Sequence, residues 1–119
     1  LNYGHTIGHA LETVTGYTTY LHGEAVAMGM CLEAKLSSLL GIGNDRDSER
    51  IRSLVTSYGL PTRMPSGIRD DQILSSMQLD KKAVSGELKF ILPQTIGSVS
   101  IRGVEDATAI TQSIKPGRC

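Results

Sequence analysis

The feature that most limits the fold of this sequence is one long helical pattern between His22 and Leu40. Its apolar residues are Ala25, Val26, Met28, Leu32, Leu36, Leu39 and Leu40. They cover more than one face of the predicted helix, so much of that helix should be buried. Gly41 follows directly, and glycine readily adopts the left-handed conformation that ends many helices. We therefore predict a largely buried helix over residues 22–40.

Shorter patterns predict the elements on either side of this helix. Helical spacing and capping residues predict further helices at about 1–15, 45–58, 70–77 and 105–114. The cap candidates of the helix at 45–58 are residues 45–48. Alternating apolar residues predict two paired strands at 88–92 and 98–102, joined by a connection at 93–97. The predicted fold class is mainly α, a helical bundle with one small β-hairpin, in a single domain over residues 1–119.

Composition and charge exclude several classes of protein. The chain has 119 residues, and its 12 basic residues balance 12 acidic ones, which is a poor basis for binding nucleic acid. Its longest apolar stretch is too short to cross a membrane, and its start does not resemble a signal peptide. Cys31 and Cys119 lie too far apart in sequence to indicate a disulfide framework or a zinc cluster. We expect a cytoplasmic protein that binds neither nucleic acid nor membrane.

The residues most typical of a functional site begin within the first five residues of the sequence. The chain opens at Leu1 instead of a Met, and a natural domain rarely places its most functional segment at a fraying terminus. We therefore expect this chain to be a fragment whose upstream part is missing.

All three histidines lie in the first 22 residues, at His5, His9 and His22. On a helix His5 and His9 share a face, and Glu12 extends that face by one more turn. Pairs of imidazoles at this spacing commonly bind zinc-like metals, although a lone histidine is more often structural. Spacing leaves open whether His5 pairs with His9 or with His22. Thr6 stands where the familiar metalloprotease motif has a glutamate, which disfavours that class.

Glycine precedes both of the first two histidines. Gly4 and Gly8 remove a side chain one position before each imidazole, at a cost in helix propensity of roughly 1 kcal/mol each. This pattern allows the close approach of a ligand or of another helix.

Five strings in this sequence together resemble 3-dehydroquinate synthase, a member of the sugar-phosphate cyclase superfamily. They are LNYGHTIGHALE at 1–12, LHGEAVAMGM at 21–30, GLP at 59–61, MQLDKK at 77–82 and FILPQTIG at 90–97. The resemblance covers nearly the whole chain and thins after Val104. It implies the C-terminal helical domain of a two-domain enzyme whose N-terminal α/β domain binds most of the NAD.

The resemblance also implies roles for the histidines. A divalent metal, zinc or cobalt, would be held by residues matching His5 and His22 and by an upstream glutamate that this chain lacks. His9 matches the histidine that serves the substrate and its proton transfers.

Four further residues are candidates for the same site. By resemblance, Asn2 matches a substrate-contacting asparagine, and Lys81 and Lys82 match the region that holds the substrate's phosphate. Glu24, just after His22, could accept a hydrogen bond from a liganding imidazole, as metal-bound histidine usually requires. It could equally be a first-turn carboxylate favoured by the helix dipole, and we slightly prefer the metal-site role.

The resemblance implies a lyase of the shikimate pathway, which makes precursors of the aromatic amino acids. The enzyme converts 3-deoxy-D-arabino-heptulosonate 7-phosphate, a sugar phosphate, to 3-dehydroquinate and phosphate. We expect a homodimer for the full-length enzyme and no activity for the fragment alone. The alternatives are another sugar-phosphate cyclase and a non-catalytic helical module that retains the histidines for packing.

Overall fold

A computed structural model describes residues 3–65, 67–81, 88–104 and 107–114, with the backbone alone for residues 78–81, 88 and 107. Its elements are α1 (His5–Val14), α2 (His22–Leu39), α3 (Asp45–Ser57), α4 (Asp70–Lys81), β1 (Leu88–Thr95), β2 (Ser98–Val104) and α5 (Ala107–Ile114). Within these ranges the fold is a helical bundle with one antiparallel hairpin, which confirms the predicted fold class.

Helix α2 is the centre of the bundle, as its apolar pattern predicts. It contacts α1, α3, α5 and β1. The main core consists mainly of buried side chains from α2 and from its neighbours α1, β1 and α5. Helix α4 adds Ile73 and Met77 to the same core. Helix α3 instead packs Val55 against Ala27 and Cys31 in a smaller cluster. No helix in the described ranges is both long enough and apolar enough to cross a membrane.

Helix α1 begins later than its sequence pattern predicts. Gly4 has a left-handed backbone with φ of 86°, so the regular helix can begin only at His5. The predicted start near residue 1 was therefore wrong, and residues 1 and 2 lie outside the described ranges. The helix runs to Val14, close to its predicted end.

The turn between α2 and α3 matches the prediction at Gly41 and differs at the cap of α3. Gly41 has a left-handed φ of 76° directly after the helix. The cap, however, is Asn44, whose side chain accepts a hydrogen bond from Asp47 N at 2.8 Å. The predicted caps at 45–48 lie instead within the first turn of α3. The negative charges of Asp45 and Asp47 are favoured there by the positive end of the helix dipole.

The hairpin pairs the two predicted strands, but both strands are longer than predicted. Phe90 lies opposite Arg102 and Ile91 opposite Ile101 in the antiparallel register. Pairing continues to Thr95 and Ser98 past an irregularity at Pro93–Thr95. The predicted connection at 93–97 is thus shorter in the structure, because only residues 96 and 97 turn the chain, with Gly97 in the left-handed region.

Candidate metal and substrate site

The three histidine rings lie together, two on α1 and one at the start of α2. The ring of His5 lies 5.5 Å from that of His9 and 5.4 Å from that of His22, measured between ring centroids. The rings of His9 and His22 are 6.1 Å apart. The structure therefore brings all three rings into one triangle, where the sequence left two pairings open.

Two features of local structure build this triangle. His5 and His9 are four residues apart on α1 and so share one face of that helix. The loop at residues 15–21 then returns the chain so that α2 begins at His22. Gly16 and Tyr17 both have left-handed φ angles, of 72° and 62°, and Tyr17 N donates to Glu12 O at 2.8 Å. This reversal closes α1 and places His22 beside its last turns.

The glycines before the histidines serve the packing of α1 on α2. A Cβ on Gly8 would lie 3.1 Å from Ala25 O, and one on Gly29 would lie 2.0 Å from Gly4 O. The distance at Gly29 leaves no room for a side chain, and the distance at Gly8 is tighter than nearly all real Cβ contacts, so the two helices meet backbone against backbone. Of the two alternatives left open by the sequence, close approach of another helix is the one observed.

A buried carboxylate fixes the start of the histidine helix. Glu33 of α2 is fully buried, and its two oxygens accept hydrogen bonds from Gly4 N and Ile7 N, each at 3.1 Å. These N–H groups lie in the first turn of α1, where helical partners are missing. Negative charge is also favoured at that end of the helix dipole. Glu33 thus caps α1 and holds His5, which lies between its two partners.

Tyr3 adds a second anchor to the same turn. Its hydroxyl donates to Met30 O of α2. Burial, with smaller contributions from the Glu33 carboxylate and Cys31, raises the pKa of Tyr3 far above its ordinary value. The segment before His5 is therefore held to α2 through both a side chain and the backbone.

Glu12 is a further candidate for the site, and the sequence analysis gave it no role there. Its carboxylate oxygens lie 3.1 and 3.2 Å from Nδ1 of His22. Possible ligand atoms of His9, Glu12 and His22 all lie within 4.8 Å of one another. The signal was present in the sequence, because Glu12 lies three residues beyond His9 on the same helix face.

Glu24, by contrast, lies in the first turn of α2 and accepts a hydrogen bond from Leu21 N at 2.8 Å. The position fits the alternative named above, a first-turn carboxylate favoured by the helix dipole, and the contact adds a helix cap. The contact between Glu24 and a liganding imidazole stays a prediction, as do the roles assigned to the histidines.

The predicted substrate residues fall at the edge of what the structure describes. Asn2 and Lys82 lie outside the described residues. Lys81 ends α4, and its side chain is outside the description too. Their predicted roles therefore stay predictions.

The donor set at the histidine triangle fits a divalent cation of the zinc type. Ligand atoms on a tetrahedral zinc are about 3.3 Å apart, since Zn–N distances are about 2.0–2.1 Å. The donor atoms that lie within 4.8 Å of one another belong to His9, Glu12 and His22, and His5 is outside that group although its ring centroid is 5.4 Å from that of His22. His9 and His22 are exposed at the surface of the chain. A buried carboxylate beside a ring nitrogen is also the usual support of a metal-bound histidine.

Comparison with known proteins shows the class to which this domain belongs. Two solved cyclases share its fold with a TM-score of 0.81 each. One, at 28% identity over 95% of this chain, is a 2-deoxy-scyllo-inosose synthase complexed with carbaglucose-6-phosphate, NAD+ and Co2+. The other, at 21% identity over 94% of this chain, is ValA, a 2-epi-5-epi-valiolone synthase from Streptomyces hygroscopicus with NAD+ and Zn2+ bound. The fold is thus that of sugar-phosphate cyclases.

The family within that class follows from the sequence. A family profile described as 3-dehydroquinate synthase C-terminal matches residues 1–83. The 3-dehydroquinate synthase of Desulforamulus reducens is 54% identical over 101 residues, which are 85% of this chain and 28% of that protein. The chain belongs to the 3-dehydroquinate synthase C-terminal family. It spans about a third of the length of these relatives: 28% of the synthase, and 32% and 31% of the two solved cyclases.

Proposed function

We propose that this chain is the metal- and substrate-binding domain of a 3-dehydroquinate synthase. The full-length protein would convert 3-deoxy-D-arabino-heptulosonate 7-phosphate to 3-dehydroquinate and phosphate in the shikimate pathway. The single observation that carries the proposal is the triangle of His5, His9 and His22 rings, with the Glu12 carboxylate against His22. Family membership supplies the choice of reaction.

The residues of this chain divide the work of binding and proton transfer. His5 and His22 would hold the cation together with a ligand from outside this chain, because catalytic zinc normally has three protein ligands. When bound, the cation supplies Lewis-acid polarisation of a substrate oxygen, and NAD supplies a reversible acceptor of hydride.

His9 would move the proton. Its ring is exposed and lies beside both proposed metal ligands, and histidine is the side chain most often used for general acid–base catalysis. Lys81 and Lys82 would position the phosphate through their positive charge. The homodimer and the inactivity of the chain alone remain part of this proposal.

The reaction is tested by phosphate release from the heptulosonate phosphate, catalysed by the full-length protein that carries this chain, with NAD and Zn2+ present. We expect turnover in the wild type and a fall in kcat of about 10²-fold or more in His9→Ala, since general acid–base catalysis contributes that much. Glu49→Ala, at an exposed position of α3, is the control and should keep wild-type turnover. Absence of phosphate release by the wild type would refute the proposal.

A second cyclase reaction is the competing candidate, because the 28% identical solved relative was complexed with carbaglucose-6-phosphate. Glucose 6-phosphate, of which that ligand is the carbocyclic analogue, should therefore be assayed beside the heptulosonate phosphate. Faster phosphate release from glucose 6-phosphate would replace the first reaction with the second. If substitution of His5 and His22 left phosphate release from both substrates unchanged, the histidines would not be needed for catalysis. That result would favour the non-catalytic helical module.

A further inference from the structure

The Glu12 carboxylate is placed to control which nitrogen of His22 carries a proton. Glu12 lies in the last turns of α1, and its side chain is only 11% exposed, whereas that of His22 is 58% exposed. Both carboxylate oxygens face the same ring atom, Nδ1, at 3.1 and 3.2 Å. The contact therefore joins the largely buried Glu12 carboxylate to the Nδ1 atom of a His22 side chain that is mostly exposed.

The chemistry of the two groups decides the direction of this hydrogen bond. An ionised carboxylate can only accept, so Nδ1 must donate and must carry a hydrogen. A neutral imidazole has one such hydrogen, so its lone pair is then on Nε2. The same arrangement, a carboxylate on the non-liganding N–H, orients metal-bound histidine in proteins and raises its basicity.

We propose that Glu12 is a positioning residue, which holds His22 in the Nδ1–H tautomer and thereby presents Nε2 to the divalent cation. The inference rests on the proposed function, in which His22 is a metal ligand. It gives Glu12, for His22, a role of the kind that the sequence also offers to Glu24, whose carboxylate accepts a hydrogen bond from Leu21 N.

Direct binding of the cation by Glu12 is the competing account of the same contact. Its carboxylate is close enough to His9 and His22 for that role. Positioning accounts better for the symmetry of the contact, because both oxygens share one ring nitrogen at ordinary hydrogen-bond distances. It also leaves the exposed edge of His22 available for the cation.

The tautomer of His22 tests the inference without any substitution at Glu12. The chain of 119 residues, labelled with 15N-histidine and free of metal, would be examined by long-range 1H–15N correlation at alkaline pH, with His22→Ala identifying the signal. We expect the pattern of an Nδ1–H ring for His22. A dominant Nε2–H pattern would overturn the inference.

Metal affinity of the full-length protein separates positioning from direct binding. Zn2+ dissociation constants would be measured by chelator competition, without substrate. We expect Glu12→Ala to weaken binding about 10- to 100-fold, the usual effect of removing such a supporting carboxylate. Glu12→Gln should recover most of this loss, because its amide oxygen can still accept from Nδ1–H. Glu49→Ala should bind as the wild type does.

The outcomes distinguish failure of the inference from failure of the function. Glu12→Ala with wild-type affinity would remove the positioning role, and Glu12→Gln as weak as Glu12→Ala would assign Glu12 as a direct ligand. In either case phosphate release by the wild type would leave the proposed function intact. A wild-type protein that neither binds Zn2+ nor releases phosphate would remove the function itself.

Discussion

The crossing of α1 and α2 and the β1–β2 hairpin are built on different physical principles. At the crossing, Gly4, Gly8 and Gly29 bring backbone against backbone, and the buried Glu33 carboxylate accepts two N–H groups. In the hairpin, β1 buries Phe90 and Leu92 in the core, while most of β2 is exposed. The crossing depends on exact close contacts, and the hairpin depends on the ordinary burial of one strand.

This difference shows where the molecule has little freedom to vary. Apolar side chains can repack when one of them changes size, so a core strand tolerates substitution at a moderate cost. The glycine crossing and the buried Glu33 carboxylate have no such freedom. A side chain added at the crossing forces the backbones apart, and removal of the carboxylate leaves buried N–H groups without an acceptor. His5 and His9 lie on α1 and His22 begins α2, so the crossing sets the positions of the backbones that carry the three rings.

The largest expected effect is that of a single methyl group at the crossing. Gly29→Ala places a Cβ 2.0 Å from Gly4 O, so the helices must separate. We expect the free energy of unfolding to fall by more than about 3 kcal/mol in chemical denaturation of the chain.

Gly23→Ala is the matched control in the same helix, because a Cβ there has no neighbour within 4 Å. It should stabilise slightly, by about 0.5 kcal/mol, as alanine favours the helix. Equal effects of the two substitutions would break the distinction between the crossing and the rest of the fold.

Loss of the buried carboxylate should come next in size. Glu33→Ala leaves Gly4 N and Ile7 N without their acceptor, and each buried unpaired group costs about 1–3 kcal/mol. We expect a fall of about 3 kcal/mol in the free energy of unfolding, against less than about 0.5 kcal/mol for the exposed Glu49→Ala. A loss no larger than that of the control would show that Glu33 does not cap α1.

The hydrogen bond of Tyr3 to α2 should have a smaller effect, which alkaline pH can test. Because the pKa of Tyr3 is raised in the folded state above its ordinary value of 10.0, the unfolded chain loses this proton first. The stabilisation is complete below about pH 10 and decreases as the pH rises, by up to about 1.4 kcal/mol per pH unit. Tyr3→Phe should lack this decrease while losing about 1 kcal/mol at neutral pH with its hydrogen bond to Met30 O.

Denaturation of both proteins at neutral pH and at about pH 11 gives the comparison. Identical losses of stability in the wild type and in Tyr3→Phe would assign the alkaline decrease to other groups.

The smallest effect is expected on the open strand of the hairpin. Ile101 is 62% exposed and pairs with Ile91 across the sheet. Ile101→Thr keeps a β-branched side chain and should change the free energy of unfolding by less than about 0.5 kcal/mol. A loss above about 1 kcal/mol would show that β2 is more buried than it is in this structure.

Periodicity in the sequence predicted most of the fold. Short stretches of sequence were enough to predict the helix α2, its end at the left-handed Gly41 and the two strands β1 and β2. Each of these features depends on residues that are close together in the sequence. The start of α1 was misplaced, because the pattern from residue 1 concealed the left-handed Gly4. The glycine itself is the local sign of that conformation, but glycine also lies within this helix at Gly8, so its presence alone did not place the helix start.

The site was less predictable than the fold. Spacing on α1 predicted that His5 and His9 share a face, but the place of His22 depended on a loop reversal that the sequence did not specify. Glu33 gave one weak sign, a charged residue between Leu32 and Ala34 in an apolar helix. Its hydrogen-bond partners lie 26 and 29 positions away in the chain. Residues so distant are joined only by the tertiary fold.

The most direct test of the central claim is the metal content of the full-length protein after extensive dialysis. The claim is that His5 and His22 hold one divalent cation beside His9, and metal analysis would compare the wild type with a His5→Ala, His22→Ala double variant. We predict about one zinc or cobalt ion per wild-type chain and nearly none in the double variant. Equal metal content in the two proteins would contradict the account.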